Sequence, residues 1–414
     1  MSYKNLFYGY EDKNIYLDNA ASTLSLKCVK EEGDNFLLNY GSLHRGFGYN
    51  SEISTEKYEE SRNYILSILD GTKNDCVIFT ANTTDAINKF SLLFPFSTTD
   101  KVLISDIEHS SNSLPWRKHS NVIEFKTNNY KIEPEIIEQY LKTDTNIKVV
   151  ALAAASNITG YIIDLEEIYR ICKKYNTYLF IDASQYAPHN KPSLKYCDFI
   201  AYCGHKMYAP FGCGVLAGRK DILNNEGLSL TGGGNVIYVD EKGIPTYKDA
   251  PYLHEAGTPN GIGAITLAKA HQFLFETIGE EKLIEHNKIL LNELKIQSDK
   301  LKYYNYDVYF SNTDEYRTPI MIIDNKKISN KETVKLLNTS ILNYEKNVFI
   351  REGAFCSYLL IENLKNLKSI PNKIVDGHLN SQYSLIRLSA SLINDIEDIQ
   401  FATNKLIKIN QSIF

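Results

Sequence analysis

Cysteine is sparse and irregularly placed in this chain. There are seven among 414 residues, an odd number without the dense spacing of a disulfide framework. No CxxC pair and no HExxH stretch occurs, which argues against a structural zinc site. Long apolar runs are also missing. The longest, around Ile147 to Ala155, is far too short to span a bilayer. The opening MSYKNLFYGYEDKN has no apolar core and no small-residue cleavage site, so no secretory signal is expected. There is no basic excess either: the formal net charge is −5, which speaks against nucleic acid or an anionic membrane as partner. A reducing cytoplasm is the expected setting.

What is there reads as an ordinary globular protein, 43% hydrophobic and 23% charged. Internal repeats and low-complexity segments are absent. The middle of the chain alternates short β-rich runs with helical patterns. Cys76–Thr80, Val102–Ser105, Lys148–Ala153, Tyr178–Asp182 and Phe199–Cys203 are near-continuous apolar runs, as expected of parallel strands buried on both faces. Between two of them Asp164 and Glu167 predict a capping box, and Leu165, Ile168, Cys172 and Tyr175 recur at helical spacing. Strand, helix, strand in this order predicts βαβ units. Beyond about residue 262 the pattern changes. Long helices are predicted over Ile265–Ile278 and Glu281–Ser298, strands near Thr318–Ile323 and Val348–Arg351, and a last helix over Asp395–Ile409. The division predicted is a large α/β domain over 16–262, with 1–15 and 263–414 forming a smaller α+β domain.

Ligands of open α/β sheets bind beyond the carboxyl ends of the strands, and four polar clusters fall there. Thr83 and Thr84 open a helix after the first strand. They are either its cap or a phosphate cradle. His109 follows the second strand, as a structural loop histidine or as a ring that stacks on a flat heteroaromatic ligand. Asp182 ends a buried strand and needs a partner. It is either a capping residue or the counter-ion of a pyridinium N–H, as in pyridoxal phosphate (PLP), with Gln185 in reach of the ring hydroxyl. Lys206 follows the strand Phe199–Cys203, as an exposed loop lysine or as one used covalently. Their order along successive strands points to PLP bound through a Schiff base to Lys206.

These residues sit in motifs that resemble the class V aminotransferase-fold PLP enzymes, nearest the cysteine desulfurase and selenocysteine lyase branch. The motifs run in family order: YLDNAAS (Tyr16–Ser22), HRGFGYNS (His44–Ser51), ANTTDAIN (Ala81–Asn88), EHSSNSLPW (Glu108–Trp116), ASNITG (Ala155–Gly160) and DASQ (Asp182–Gln185). GHKMYAPFGCGVL (Gly204–Leu216), EAGTPN (Glu255–Asn260), REGAFC (Arg351–Cys356) and IRLSASLIN (Ile386–Asn394) complete them. The resemblance implies the type I PLP-transferase fold. It implies that Lys206 is the Schiff-base lysine, that Asp182 pairs with the pyridine nitrogen and Gln185 meets the ring oxygen, and that His109 stacks on the ring and assists proton transfer. Thr83, Thr84, Cys203 and His205 would hold the phosphate. Thr258 would reach the phosphate of the other subunit of a homodimer. Asn157 and Arg387 would hold the substrate carboxylate, and His44 and Arg45 would lie at the entrance.

Cys356 falls at the position of the desulfurase nucleophile. The implied reaction takes sulfur from L-cysteine onto Cys356 as a persulfide, leaves alanine, and passes the sulfur to an acceptor protein. Only a thiolate is nucleophilic enough for this. Cys76, Cys172, Cys197 and Cys213 read as packing residues instead. The chain departs from the family pattern in three places. Ala354 and Phe355 stand where the usual desulfurase loop has histidines. Cys356 and Arg387 lie 31 positions apart, a longer stretch than in typical relatives, and its SYLLIENL run predicts a helix closing the site. Cys203 replaces a phosphate-binding serine with a weaker donor. The departures raise an alternative, a class V aminotransferase, epimerase or other amino-acid lyase. A non-catalytic scaffold is a third reading, against which the intact Lys206, Asp182 and His109 argue.

Overall fold

The strand-rich middle of the chain folds into one seven-stranded sheet. The structure, a computed structural model, describes all residues except 1, 45, 226, 228–229, 311–316, 339–345, 368–373, 376–377 and 413–414. The strands of the large sheet are β1 (Asp75–Thr80), β2 (Lys101–Ser105), β3 (Asn121–Phe125), β4 (Ile147–Ala153), β5 (Tyr178–Asp182), β6 (Phe199–Cys203) and β7 (Gly214–Arg219). Their spatial order is β1-β7-β6-β5-β4-β2-β3. Neighbours run parallel except at β7, which is antiparallel to both β1 and β6. The five apolar runs are all strands, as the sequence predicts. It does not single out β3 or the glycine-containing β7.

Apolar residues alternate between the two faces of this sheet. Cys76 and Ile78 join one buried cluster with Phe90 and Trp116, while Val77 and Phe79 join the other with Ile168 and Leu267. Helices cover both faces, so a strand such as β6 is buried along its whole length. Two of these helices matter for the site: α1 (Thr83–Leu93), directly after β1, and α2 (Leu165–Lys174), between β4 and β5. The predicted capping box of α2 is half formed. Asp164 accepts from the Glu167 N–H at 3.0 Å, but the Glu167 carboxylate turns to Arg170 instead of back to the cap. A guanidinium one turn on offers it a charge-assisted bond.

A four-stranded antiparallel sheet forms the second layer system. Its strands are β8 (Tyr306–Tyr309), β9 (Ile320–Asn325), β10 (Arg351–Gly353) and β11 (Leu385–Ser389), in the order β8-β9-β11-β10. Its own core gathers Ile323, Leu388, Leu290, Leu294 and Leu406. The last two predicted helices are present as Glu280–Tyr303 and Ile396–Ser412. The run Ile265–Ile278 is instead an α-helix, Gly261–Gln272, continued by a wider π-type turn, Phe273–Gly279. The predicted strand Val348–Arg351 is divided. Asn347–Phe349 pairs in parallel with Asn14–Tyr16, whereas Arg351 pairs with Arg387 in the antiparallel sheet. The break at Ile350 turns the following segment toward the large sheet.

SYLLIENL contains a helix, α3 (Tyr358–Leu364), but it does not close the site. Leu360 and Ile361 are fully buried in the core and none of its residues lines the cavity described below. Its apolar side chains draw it into the protein rather than over the opening. Among the described residues no helix is long and apolar enough to cross a membrane.

Candidate active site

The carboxyl ends of β1, β2, β4, β5 and β6 converge on one cavity of about 510 Å3. Thr83, Thr84, His109, Asn157, Asp182 and Gln185 line it, as do Cys203, His205, Lys206, Cys356 and Arg387. Residues far apart in sequence meet here because parallel strands bring their C-terminal loops to one edge.

Lys206 ends a single tight turn, Gly204–Lys206, that follows β6. Glycine is required at its start: a Cβ on Gly204 would stand 2.8 Å from the Ala209 carbonyl oxygen. The turn is strapped from outside by the N-terminal segment, where the Thr23 N–H and hydroxyl both donate to the His205 carbonyl, at 2.9 and 3.1 Å. Among the described residues, Lys206 Nζ has no carboxylate or hydrogen-bond partner, and the side chain lines the cavity. A half-buried amine presented this way is available for covalent use.

One end of the cavity is built for a phosphate. The cap of α1 is Asn82, whose Oδ1 accepts from the Asp85 N–H at 3.0 Å. Thr83 and Thr84 are therefore not the cap. Their backbone N–H groups lie in the first turn, where helices leave donors unpaired, and a helix N-terminus favours an anion. The Thr83 hydroxyl receives the Ser184 hydroxyl at 2.8 Å, and the Thr84 and Ser111 hydroxyls lie 2.7 Å apart. Gly214 lets this corner approach β7, since a Cβ there would lie 2.6 Å from the Asn82 carbonyl carbon. Cys203 completes the wall, and burial pushes its thiol pKa up. Burial, then the charge of Lys206, lowers the His205 pKa to about 4.

Asp182 lies on the floor, 5% exposed. One carboxylate oxygen accepts the Ser184 N–H at 2.9 Å, and among the described residues no cation pairs with the other. A pyridinium N–H would supply that partner. Gln185 beside it is steered by its amide, which donates to the Ala20 carbonyl at 2.7 Å. His109 is neutral. Burial first, then Lys206, lowers its pKa to about 4, and its Nδ1 accepts the Ser111 N–H at 3.1 Å, which leaves the proton on Nε2. Under it Glu108 is buried and accepts from Ser105, Asn112 and the Ala153 N–H. Burial raises its pKa to about 8.

The opposite end carries cations and a thiol. Arg387, buried, donates to the Asn157 carbonyl at 3.1 Å and reaches Asp18 at 3.5 Å. Burial lowers its pKa to about 10, and its Nε is buried with no partner among the described residues. Its guanidinium lies 4.6 Å from the Phe355 ring centroid. Arg351 also lines the cavity and shares Asp18, at 2.9 Å. All seven cysteines are described, and only Cys356 is exposed. Burial raises the pKa of Cys76 and Cys172 to about 12, and those of Cys197 and Cys213 further. Those four are packing residues, as the sequence suggests. Phe355 and Cys356 both have left-handed backbone, with φ of 52° and 57°, a conformation that costs about 1–3 kcal/mol per non-glycine residue.

Some expected residues lie elsewhere. His44 does not line the cavity. Its Nε2 is 2.8 Å from Glu59, and its ring packs against the edges of Tyr58 and Tyr252. Arg45 is outside the described residues. Thr258 is exposed and touches no part of its own chain's cavity. Conversely, sequence reasoning passed over Asp18, Ser111, Ser184 and Arg351 as site residues. All four stand inside motifs already marked, beside the residues chosen, and Arg351 begins the very stretch that ends in Cys356.

The donor set fits PLP: a first-turn phosphate cradle, an unpaired buried carboxylate, a neutral imidazole and an unpaired lysine share one cavity of ligand size. Comparisons with known proteins agree. The family model described as Aminotransferase class-V matches residues 15–401. A probable cysteine desulfurase of Borreliella burgdorferi is 33% identical over 369 residues, 84% of this chain and 84% of that one. A probable cysteine desulfurase of Pyrococcus abyssi is 30% identical, over 96% of this chain and 95% of its own. The apo structure of cysteine desulfurase from Thermococcus onnurineus NA1 superposes with a TM-score of 0.85 at 23% identity, covering 99% of this chain and 98% of that one. That likeness extends over both sheets, and the chain belongs to the class V aminotransferase family of PLP-dependent enzymes.

Proposed function

We propose that this chain is a cysteine desulfurase, taking the sulfur of L-cysteine onto Cys356 and leaving alanine. The observation that carries the reading is the exposed Cys356 on the wall of the cavity that also holds Lys206 and Asp182. The names of the two relatives above point the same way.

Lys206 would hold the cofactor covalently, Asp182 its ring nitrogen, and Thr83, Thr84, Cys203 and His205 its phosphate. Bound PLP supplies an electron sink that makes the substrate Cα proton removable. Arg387 and Asn157 hold the substrate carboxylate, and the partnerless Arg387 Nε offers a donor for it. Lys206 Nζ, once free, accepts the Cα proton. Neutral His109 would lie over the ring, its Nε2 proton available to be passed on. The Cys356 thiolate then attacks the substrate sulfur. The new S–S bond forms as the Cβ–S bond breaks, the electron pair leaves with carbon, Cβ takes up a proton, and the proton held at Lys206 Nζ returns to Cα to give alanine. The resulting persulfide is discharged by a thiol reductant or by an acceptor protein. The proposal includes a homodimer in which Thr258, exposed on its own chain, meets the phosphate site of the partner.

Cys356→Ser tests the thiolate step. The variant should lose alanine formation from L-cysteine more than a hundredfold while keeping the visible absorption of the bound cofactor. Unchanged turnover would overturn the assignment.

A further inference from the structure

The turn that presents the thiol is held by a residue outside the cavity. Phe355 and Cys356 are consecutive non-glycine residues in left-handed backbone, so the turn persists only where its carbonyls are held. The Cys356 carbonyl accepts two bonds from Ser110, one from its N–H and one from its hydroxyl, each 2.8 Å. The Phe355 carbonyl accepts Asn157 Nδ2 at 2.9 Å, and the Ser357 hydroxyl donates to Asn157 Oδ1 at 3.0 Å. Asn157 belongs to the cavity wall. Ser110 does not: its neighbours His109 and Ser111 line the cavity, while Ser110 points to the turn. Two adjacent residues thus place the ring-stacking imidazole and the backbone of the nucleophile.

We propose that Ser110 is a positioning residue for sulfur transfer, docking the Cys356 turn so that its thiol stays at the cavity in register with His109. The proposal rests on the desulfurase reading above. It implies a pre-docked nucleophile rather than one delivered by a freely moving loop. It also implies that the Ser110 hydroxyl acts on the sulfur-transfer step and not on cofactor or substrate binding.

The test compares wild type, Ser110→Ala and Ser110→Thr as holoenzymes. Ser110→Ala removes one of the two bonds, about a fivefold effect on a docking equilibrium. It should lower kcat for alanine formation, by at most about fivefold, leave KM for L-cysteine within about twofold, and leave the cofactor absorption unchanged. Ser110→Thr, which keeps the hydroxyl, should restore kcat. Amide hydrogen exchange over residues 354–358, measured without substrate, should be about fivefold faster in Ser110→Ala than in wild type. Exchange and kcat both unchanged in an active enzyme overturn the Ser110 proposal alone, as does a defect that falls on KM or that Thr fails to rescue. Wild-type protein that makes no alanine from L-cysteine overturns the desulfurase reading, and with it any part for Ser110 in sulfur transfer, even where exchange shows the turn loosened.

Discussion

Arg387 illustrates how a single side chain is set up for a ligand. It is 3% exposed, and burial holds its pKa down at about 10. Asp18, shared with Arg351, offsets part of the desolvation cost. The partnerless Nε is a buried donor that a substrate carboxylate would satisfy. A charge-assisted bond of this kind contributes about 1.5–3 kcal/mol. Arg387→Ala should therefore raise KM for the amino-acid substrate ten- to a hundredfold, measured by initial rates, with the cofactor spectrum retained. An unchanged KM would remove Arg387 from the substrate site. At this scale the sequence was informative where a residue type has few other uses at a strand end. Lys206 and Asp182 qualify. It was less so for hydroxyls: Thr83 and Thr84 had two physical readings, and only the position of Asn82 one residue earlier shows that capping is done elsewhere. His44 was carried by its motif, and its pairing with Glu59 is a tertiary contact across helix Tyr49–Ile68 that no local pattern announces.

Among the elements, α1 has the most direct bearing on the cofactor. Its first turn is held from both sides, Asn82 accepting from the Asp85 N–H and Asp85 accepting from the Ala81 N–H at 2.9 Å. Asn82→Ala should cost about 1 kcal/mol of stability, read as a lowered urea midpoint, and should weaken retention of PLP on dialysis because the phosphate cradle frays with the turn. Retention equal to wild type would separate the helix end from the phosphate. The strands of the large sheet were legible because burial on both faces leaves nearly uninterrupted apolar runs. β7 was not, because Gly214 and Gly218 within it, demanded by the close approach of Asn82 and Asp198, dilute the pattern. The division at Ile350 was hidden for a different reason: strand propensity continues through it, and only the choice of pairing partners separates Phe349 from Arg351.

For the whole molecule, histidines held neutral by their surroundings contribute to the response to acid. Burial is the first cause in lowering His109, His189, His205 and His271, each to about 4. Between that value and the ordinary 6.5 the unfolded chain binds more protons than the folded one, so stability rises with pH across this window and is lost as pH falls through it. His189 and His271, fully enclosed, each contribute roughly 1 kcal/mol of loss by pH 5.5. Urea midpoints should fall steeply from pH 7 to pH 5, and a flat profile would show that these rings are solvated. Both sheets contribute to one cavity: the large one carries Lys206, Asp182 and His109, the small one Arg351 and Arg387, with Cys356 on the segment that leaves β10. The order of motifs along the chain made that convergence readable, whereas the turn that seats Cys356 depends on contacts between residues 198 to 246 positions apart. The most direct measurement of the central claim is the reaction of purified, PLP-loaded protein with L-cysteine and dithiothreitol, with alanine and sulfide quantified together. Equimolar alanine and sulfide is the predicted result; pyruvate with sulfide, or no product from L-cysteine, would contradict it.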